Sequence, residues 1–143
     1  MAGERVLLVD DETDFVEALS ARMETREVVV ETATSGQAAL EKMDAQRFDV
    51  VVLDLAMPGM DGIETLSAMR ERDPDIQVIL LTGRATLQKG VEAMKLGAMD
   101  FLEKPADINL LLERIQEAKA KSDERLEQKT EQVIQDILRT KGW

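Results

Sequence analysis

The chain alternates short apolar runs with longer segments in which apolar residues recur every three or four positions. Three runs are continuously apolar, residues 6–9, 50–53 and 78–81. Strands covered by helices on both faces show this pattern. Two less regular runs rich in β-branched or aliphatic residues complete a set of five. The predicted strands are residues 5–9, 28–31, 50–53, 78–81 and 99–102.

Segments with helical periodicity follow each predicted strand. Each carries one apolar stripe, and the stripes are Phe15, Val16, Leu19 and Met23; Ala39, Leu40 and Met43; Ile63, Leu66 and Met69; Val91, Met94 and Ala98; Ile108, Leu111, Leu112 and Ile115. Asp61 with Glu64 has the spacing of a capping box, Asp107 can cap the fifth helix, and Gly97 lies where a helix stop needs a left-handed residue. The alternation predicts an α/β fold, a doubly wound five-stranded parallel sheet with helices on both faces.

Residues 120–143 continue the helical pattern beyond a predicted globular unit of residues 4–119. Leu126, Val133 and Ile137, and more weakly Thr130, fall at heptad spacing. Two interpretations remain open, a solvated helical tail or a helix that pairs with a partner or a second copy. Because one or two heptads make only a short coiled coil, the solvated tail is favoured.

Composition excludes several classes of chemistry. The 143 residues include no cysteine and no histidine, so thiol catalysis, imidazole bases and the common zinc sites are ruled out. The net charge of -11 arises from residues 1–119, since the tail is charge-balanced. Such an acidic surface repels a phosphate backbone, so no direct nucleic acid binding is expected. No signal peptide or membrane span is predicted, and a cytoplasmic protein is expected.

Polar residues follow four of the five predicted strands. They are Asp10 and Asp11, Asp54, Thr82, and Lys104. The carboxyl ends of parallel strands meet at one edge of the sheet, so these side chains should share a crevice. Three carboxylates in one crevice need a cation, and oxygen ligands suit Mg²⁺. Taken singly, each residue has a structural explanation; Asp11, for example, could simply cap the first helix.

Four segments together resemble the receiver domains of bacterial two-component response regulators. They are Asp10-Asp11, Val51-Val52-Leu53-Asp54-Leu55-Ala56-Met57-Pro58-Gly59-Met60-Asp61-Gly62, Leu81-Thr82-Gly83, and Gly97-Ala98-Met99-Asp100-Phe101-Leu102-Glu103-Lys104-Pro105. Their order and spacing agree over residues 4 to about 119, and the last two segments are most similar to receivers of the nitrogen-regulation type. The resemblance implies a (βα)5 flavodoxin-like fold with a C-terminal helical extension.

The resemblance also implies roles for individual residues. Asp54 would be the phosphoacceptor. Asp10 or Asp11, or both, would hold Mg²⁺, or alternatively Mn²⁺, together with Asp54 and the backbone carbonyl of Ala56. Thr82 and Lys104 would bind phosphoryl oxygens, which is chemistry that needs no general base.

Switching and lifetime are assigned to further positions by the same resemblance. Thr82 and Phe101 would form the switch pair, although a phenylalanine on a half-buried strand is more often core. Ala56 and Arg84 occupy the two positions that tune the lifetime of the phosphorylated state. A cis peptide between Lys104 and Pro105 is also implied.

The implied partners are a sensor histidine kinase or phosphotransfer protein, and a downstream protein reached through the surface of the fourth helix, fifth strand and fifth helix. A homodimer through that surface or through the tail is a further expectation. Two alternatives compete with this function. A Mg²⁺-dependent aspartyl-phosphate phosphatase or phosphotransferase would need a second acid at position 56, where the chain has Ala56. A receiver-like scaffold that is never phosphorylated would not need the acidic crevice.

Overall fold

The computed structural model describes residues 3–57, 62–83, 87–104 and 107–140. Its sheet has five parallel strands in the order β2-β1-β3-β4-β5. The strands are β1 (Arg5–Val9), β2 (Val29–Ala33), β3 (Val50–Asp54), β4 (Gln77–Thr82) and β5 (Asp100–Glu103). The predicted doubly wound parallel sheet is therefore confirmed. The predicted bounds of β1 are correct, whereas β2 and β5 start one residue later than predicted.

Helices cover both faces of the sheet. They are α1 (Thr13–Glu24), α2 (Gly36–Ala45), α3 (Gly62–Arg72), α4 (Leu87–Lys95) and α5 (Ile108–Thr140). One core cluster joins Leu7 and Val9 of β1 to α2, α3 and α4, and a second joins Val6 and Leu8 to α1 and α5. Adjacent residues of a strand point to opposite faces, which is why a continuously apolar strand feeds both clusters.

The buried face of α4 differs from its predicted stripe. Val91 and Met94 are 45% and 36% exposed, whereas Ala93 is fully buried. Gly90 is buried as well. Small residues let the helix axis approach the sheet, so α4 packs through Gly90 and Ala93 and turns its larger side chains outward. Of the three residues in the predicted stripe, Ala98 is buried as expected.

The ends of the helices follow their sequence signals in part. The Asp107 carboxylate accepts hydrogen bonds from the N–H groups of Asn109 and Leu110 at 2.9 and 3.4 Å, and Gly97 has a φ of 100°, so both predictions are confirmed. The alternative that Asp11 caps α1 is wrong, because the N-cap position belongs to Glu12. The predicted cap at Asp61 lies outside the described residues.

The helix α5 runs without a break from Ile108 to Thr140. Its last buried residue is Ala118, and beyond it Leu126, Val133, Ile134, Ile137 and Leu138 are 40–56% exposed. The helical character of residues 120–140 is thus as predicted, while the division into a receiver unit and a tail stays a prediction. In the part of the chain that the structure describes, no helix is long and apolar enough to cross a membrane.

Candidate functional site

Two buried carboxylates lie at the carboxyl edge of the sheet. Asp10 directly follows β1 and is fully buried, and Asp54 ends β3 with 3% of its surface exposed. Strands β1 and β3 are neighbours in the sheet, with Val9 opposite Leu53. The residues that follow them therefore come together, and burial keeps their negative charge away from water.

Backbone amides orient both carboxylates. The Glu12 N–H donates to Asp10 Oδ1 at 3.0 Å, and the Ala56 N–H donates to Asp54 Oδ1 at 3.1 Å. Each bond is made within a tight turn two residues long, so the turn after each strand holds the side chain that precedes it. In both residues Oδ2 faces the crevice, where it meets Lys104.

Lys104 bridges the acidic side chains. It follows β5, and its side chain is 16% exposed. Its Nζ lies 2.6 Å from Asp10 Oδ2, 3.2 Å from Glu12 Oε1 and 3.6 Å from Asp54 Oδ2. The ammonium group also sits 4.5 Å from the ring centroid of Phe15 on α1. One lysine thus faces three carboxylates, which leaves an excess of negative charge.

The electrostatics of the crevice follow from this excess. Burial raises the pKa of Asp54, and the nearby charges of Asp10 and Asp11 raise it further, against the opposing effects of the Ala56 N–H and Lys104. Burial alone would lower the pKa of Lys104, but its contacts with Asp10, Asp54 and Glu12 outweigh burial and raise it. The crevice therefore favours a bound cation.

The donor atoms suit a divalent metal. Carboxylate oxygens of Asp10, Glu12 and Asp54 all lie within 4.8 Å of one another. An all-oxygen set with two buried carboxylates is what Mg²⁺ prefers, and Mn²⁺ accepts the same donors. Asp11, predicted as a ligand, is half-buried at the same edge but is not part of this group. Glu12, which the sequence analysis did not select, belongs to this group, and the predicted role of Asp11 stays a prediction.

The remaining predicted site residues are only partly described. Thr82 ends β4 beside Glu103 of β5, which places its backbone at the predicted edge, but its side chain lies outside the described part. Arg84 and Pro105 also lie outside the described residues, and with them the predicted cis peptide. Phe101 is half-buried and packs against the core cluster shared with α2, α3 and α4.

A glycine closes the loop after Asp54. The Gly62 N–H donates to the Leu55 carbonyl at 3.2 Å, and a Cβ at position 62 would collide with the backbone of Leu55. Only glycine allows this approach without a backbone shift. The segment of residues 51–62 that carries the resemblance therefore needs glycine at its last residue, where the contact with Leu55 helps to fix the backbone next to Asp54.

Known proteins resemble this chain in sequence and in fold. Residues 6–116 match the model of the response regulator receiver domain family. The transcriptional regulatory protein ZraR of Klebsiella oxytoca is 39% identical over 122 residues, which are 84% of this chain and 28% of ZraR. A crystal structure of a response regulator receiver domain protein from Clostridium thermocellum is 30% identical with a TM-score of 0.80, and the match covers 86% of this chain and 98% of that one.

A longer relative of known structure is similar as well. NtrX from Brucella abortus, solved in complex with ADP, is 27% identical with a TM-score of 0.82 over 89% of this chain and 29% of NtrX. This chain therefore spans less than a third of the length of ZraR and of NtrX. Since the family model covers most of the 143 residues, the chain belongs to the response regulator receiver domain family, whose members accept a phosphoryl group in two-component signalling.

Proposed function

We propose that Asp54 is the residue of this chain that accepts the phosphoryl group. The observation that carries the proposal is the contact of one lysine with two buried carboxylates from different strand ends, Lys104 with Asp10 and Asp54 at 2.6 and 3.6 Å. A carboxylate oxygen of Asp54 attacks phosphorus, the bond between phosphorus and the leaving group breaks, and the leaving group departs with the electron pair.

The chain supplies positive groups around the transferred phosphoryl group. The Ala56 N–H and the Lys104 ammonium group both lie beside the Asp54 carboxylate and are within reach of oxygens added to it. The Thr82 hydroxyl is proposed as a third donor, on the evidence of its backbone position at the end of β4. Such groups stabilise negative charge that develops during transfer.

Asp10, Asp54 and Glu12 are proposed to hold Mg²⁺, with the Ala56 carbonyl and Asp11 as further oxygen donors from the same turns. When bound, the cation supplies charge neutralisation at the phosphoryl oxygens. Asp10 and Asp54 are both buried, and backbone N–H groups orient their carboxylates, which supports their proposed role as metal ligands. A sensor histidine kinase or a phosphotransfer protein is the proposed phosphoryl donor.

We assign the output to a shift between two conformations. Phe101, half-buried on β5, and Thr82 on the adjoining strand are the proposed switch pair, since Leu80 of β4 lies opposite Phe101. The surface that signals to a downstream protein comprises α4, β5 and the first turns of α5. Residues 4–119 are proposed as the receiver unit and 120–143 as a separate tail, with support from the family match over 6–116.

Turnover of a small phosphorylated substrate is not part of the proposal. An aspartyl-phosphate hydrolase uses an acid two residues after the nucleophile. Here that residue is Ala56, whose N–H group is already bonded to Asp54 Oδ1. With no acid there, the phosphorylated carboxylate is left as a signal.

Titration with beryllofluoride and Mg²⁺, followed by amide NMR, tests the proposal. Beryllofluoride mimics a phosphoryl group on a carboxylate, so we expect shifts at the crevice and on α4 and β5 in the parent and none in Asp54→Asn. Asp14→Asn serves as a matched control that keeps Asp54, because Asp14 is exposed on α1 and takes no part in the proposed site. Shifts confined to the crevice would support a phosphorylated site without switching, and equal shifts in Asp54→Asn would contradict the assignment.

A further inference from the structure

The exposed apolar residues of the tail continue the buried face of α5. An α-helix turns by about 100° per residue, so Val133, eighteen residues after Ile115, returns to nearly the same direction. Leu126 lies within about 20° of that direction and Ile137 within about 40°. Ile115 is 1% exposed inside the receiver, whereas Leu126, Val133 and Ile137 are 47%, 56% and 50% exposed. The face that packs α5 on the sheet therefore extends past the receiver without cover.

Ion pairs with the receiver fix the direction of the part of α5 that extends beyond it. Asp75, in the loop before β4, contacts Arg125 Nη1 at 3.2 Å and also pairs with Lys129. Lys129 lowers the pKa of Asp75, with a further contribution from Arg125. Leu126 lines a cleft of about 290 Å³ with Phe48 and Ile76, below the amino-terminal edge of the sheet. The exposed apolar residues of the tail thus begin at the amino-terminal edge of the sheet and continue along α5 away from the receiver.

We infer that the tail seam, formed by Leu126, Thr130, Val133 and Ile137, binds the same seam of a second copy of this chain in antiparallel orientation. In heptad terms these residues occupy alternating d and a positions. The antiparallel pairing sets Leu126 opposite the second copy's Ile137, and Thr130 opposite its Val133. The inference concerns assembly and does not depend on which residue accepts phosphate.

Steric fit selects the antiparallel orientation. In a parallel pair of straight helices, the second copy's helix would also run alongside the receiver part of α5, on the face that holds Leu112 and Ile115. Those side chains are 9% and 1% exposed because the receiver itself covers them, so that space is filled. In the antiparallel pair, residues 123–140 overlap over about 27 Å. The α5 helix of each copy then ends near the amino-terminal edge of the other copy's sheet.

Charge complementarity selects a second copy of the chain as the occupant. With Leu126 opposite Ile137, the flanking g positions bring Lys129 opposite Asp136 of the other copy, twice by symmetry. Lys129 has three N–H donors, so its contact with Asp75 does not exhaust it. The tail is charge-balanced, which disfavours an anionic surface as the occupant. Ile134 borders the seam, and Leu138 lies outside it.

Sedimentation of the whole chain without a phosphoryl donor tests the assembly. We expect a reversible dimer, and Val133→Asp should weaken it at least about tenfold because the seam would bury a charge. Leu138→Asp is the matched control, since Leu138 is also apolar and is 40% exposed on the same helix, and it should leave the dimer unchanged. Thermal unfolding of each variant shows that the receiver stays folded. A parent that remains monomeric up to about 1 mM would overturn the inference, as would equal losses in both variants.

Engineered cysteines test the orientation, because the chain has none of its own. Leu126→Cys chains mixed with Ile137→Cys chains should give disulfide-linked dimers that contain one chain of each kind. A parallel pair would instead link Leu126→Cys to itself, and that result would overturn the antiparallel arrangement. A charge test is independent of the apolar seam. Asp136→Lys should weaken the dimer, and the added change Lys129→Glu should restore part of the loss, because it re-forms the charge pair between the copies but removes the contact of Lys129 with Asp75.

Discussion

Burial of the Asp54 carboxylate in this acidic crevice should lower the stability of the folded protein, and Asp54→Asn tests this. Oxygens of Asp10 and Asp54 lie within 4.8 Å of each other, so two unit charges there repel by at least roughly 3.5 kcal/mol at an effective dielectric constant of 20. Lys104, at 3.6 Å, attracts Asp54 by about 4.6 kcal/mol on the same basis, but it also serves Asp10 and Glu12. The two charge terms nearly cancel, so the burial of an ionised carboxylate decides the sign.

Asp54→Asn should therefore stabilise the metal-free protein at neutral pH by on the order of 1–2 kcal/mol. For a chain of this size that raises the Tm by about 3–6 °C. Asp11→Asn is the control, since Asp11 is the weakest of the influences on Asp54 and should have a smaller effect. Urea or thermal unfolding in EDTA measures all three proteins.

The pH dependence of folding stability is a second test of whether ionised Asp54 destabilises the folded protein. Because the pKa of Asp54 is raised in the folded state, the folded protein holds this proton more tightly than the unfolded chain. The parent should lose stability as pH rises above the ordinary aspartate value of 3.8, and the loss should level off above the raised pKa. The advantage of Asp54→Asn should vanish at lower pH and shrink in Mg²⁺. A variant that is less stable than the parent at neutral pH in EDTA would refute the reasoning.

Three further outcomes are expected. Lys104→Met should destabilise the protein by about 3–5 kcal/mol in urea unfolding, because it leaves buried carboxylates unpaired, and should abolish phosphoryl uptake; unchanged stability would show that the lysine is not paired in solution. Gly62→Ala should cost roughly 1–3 kcal/mol or more through the clash with Leu55, with slower phosphorylation of Asp54 from acetyl phosphate, and a neutral effect would contradict the close approach. The phosphorylated parent should keep its label for minutes or longer, because Ala56 offers no polar side chain to orient water; rapid loss that slows in Ala56→Asn would contradict this.

Much of the fold was predictable because parallel strands buried on both faces are written as continuous apolar runs. The continuous apolar run alone was enough to predict the strand at residues 50–53. The face of α4 was not predictable by the same rule. A periodicity argument assigns the largest apolar residues to the core, yet α4 packs through Gly90 and Ala93 and exposes Val91 and Met94. Which face of α4 is buried depends on how closely the helix packs on the sheet, and this is a tertiary property that periodicity does not contain.

The candidate site was predictable as a set of strand ends but not in its details. Asp10, Asp54 and Lys104 meet as the order of strands requires. The place of Glu12 depends on the first turn after β1, where the Glu12 N–H bonds to Asp10 and brings its carboxylate to Lys104. The acidic triplet Asp10-Asp11-Glu12 was the available signal. Phe15 joins the site from the first turn of α1, which a pattern of strand ends does not predict.

The most direct test of the central claim is to locate the phosphoryl group. The parent, treated with acetyl phosphate and Mg²⁺, reduced with borohydride and digested, should carry the modification at Asp54 alone and should carry none when EDTA replaces the metal. Incorporation by Asp54→Asn equal to that of the parent, or no incorporation by the parent at all, would contradict the account.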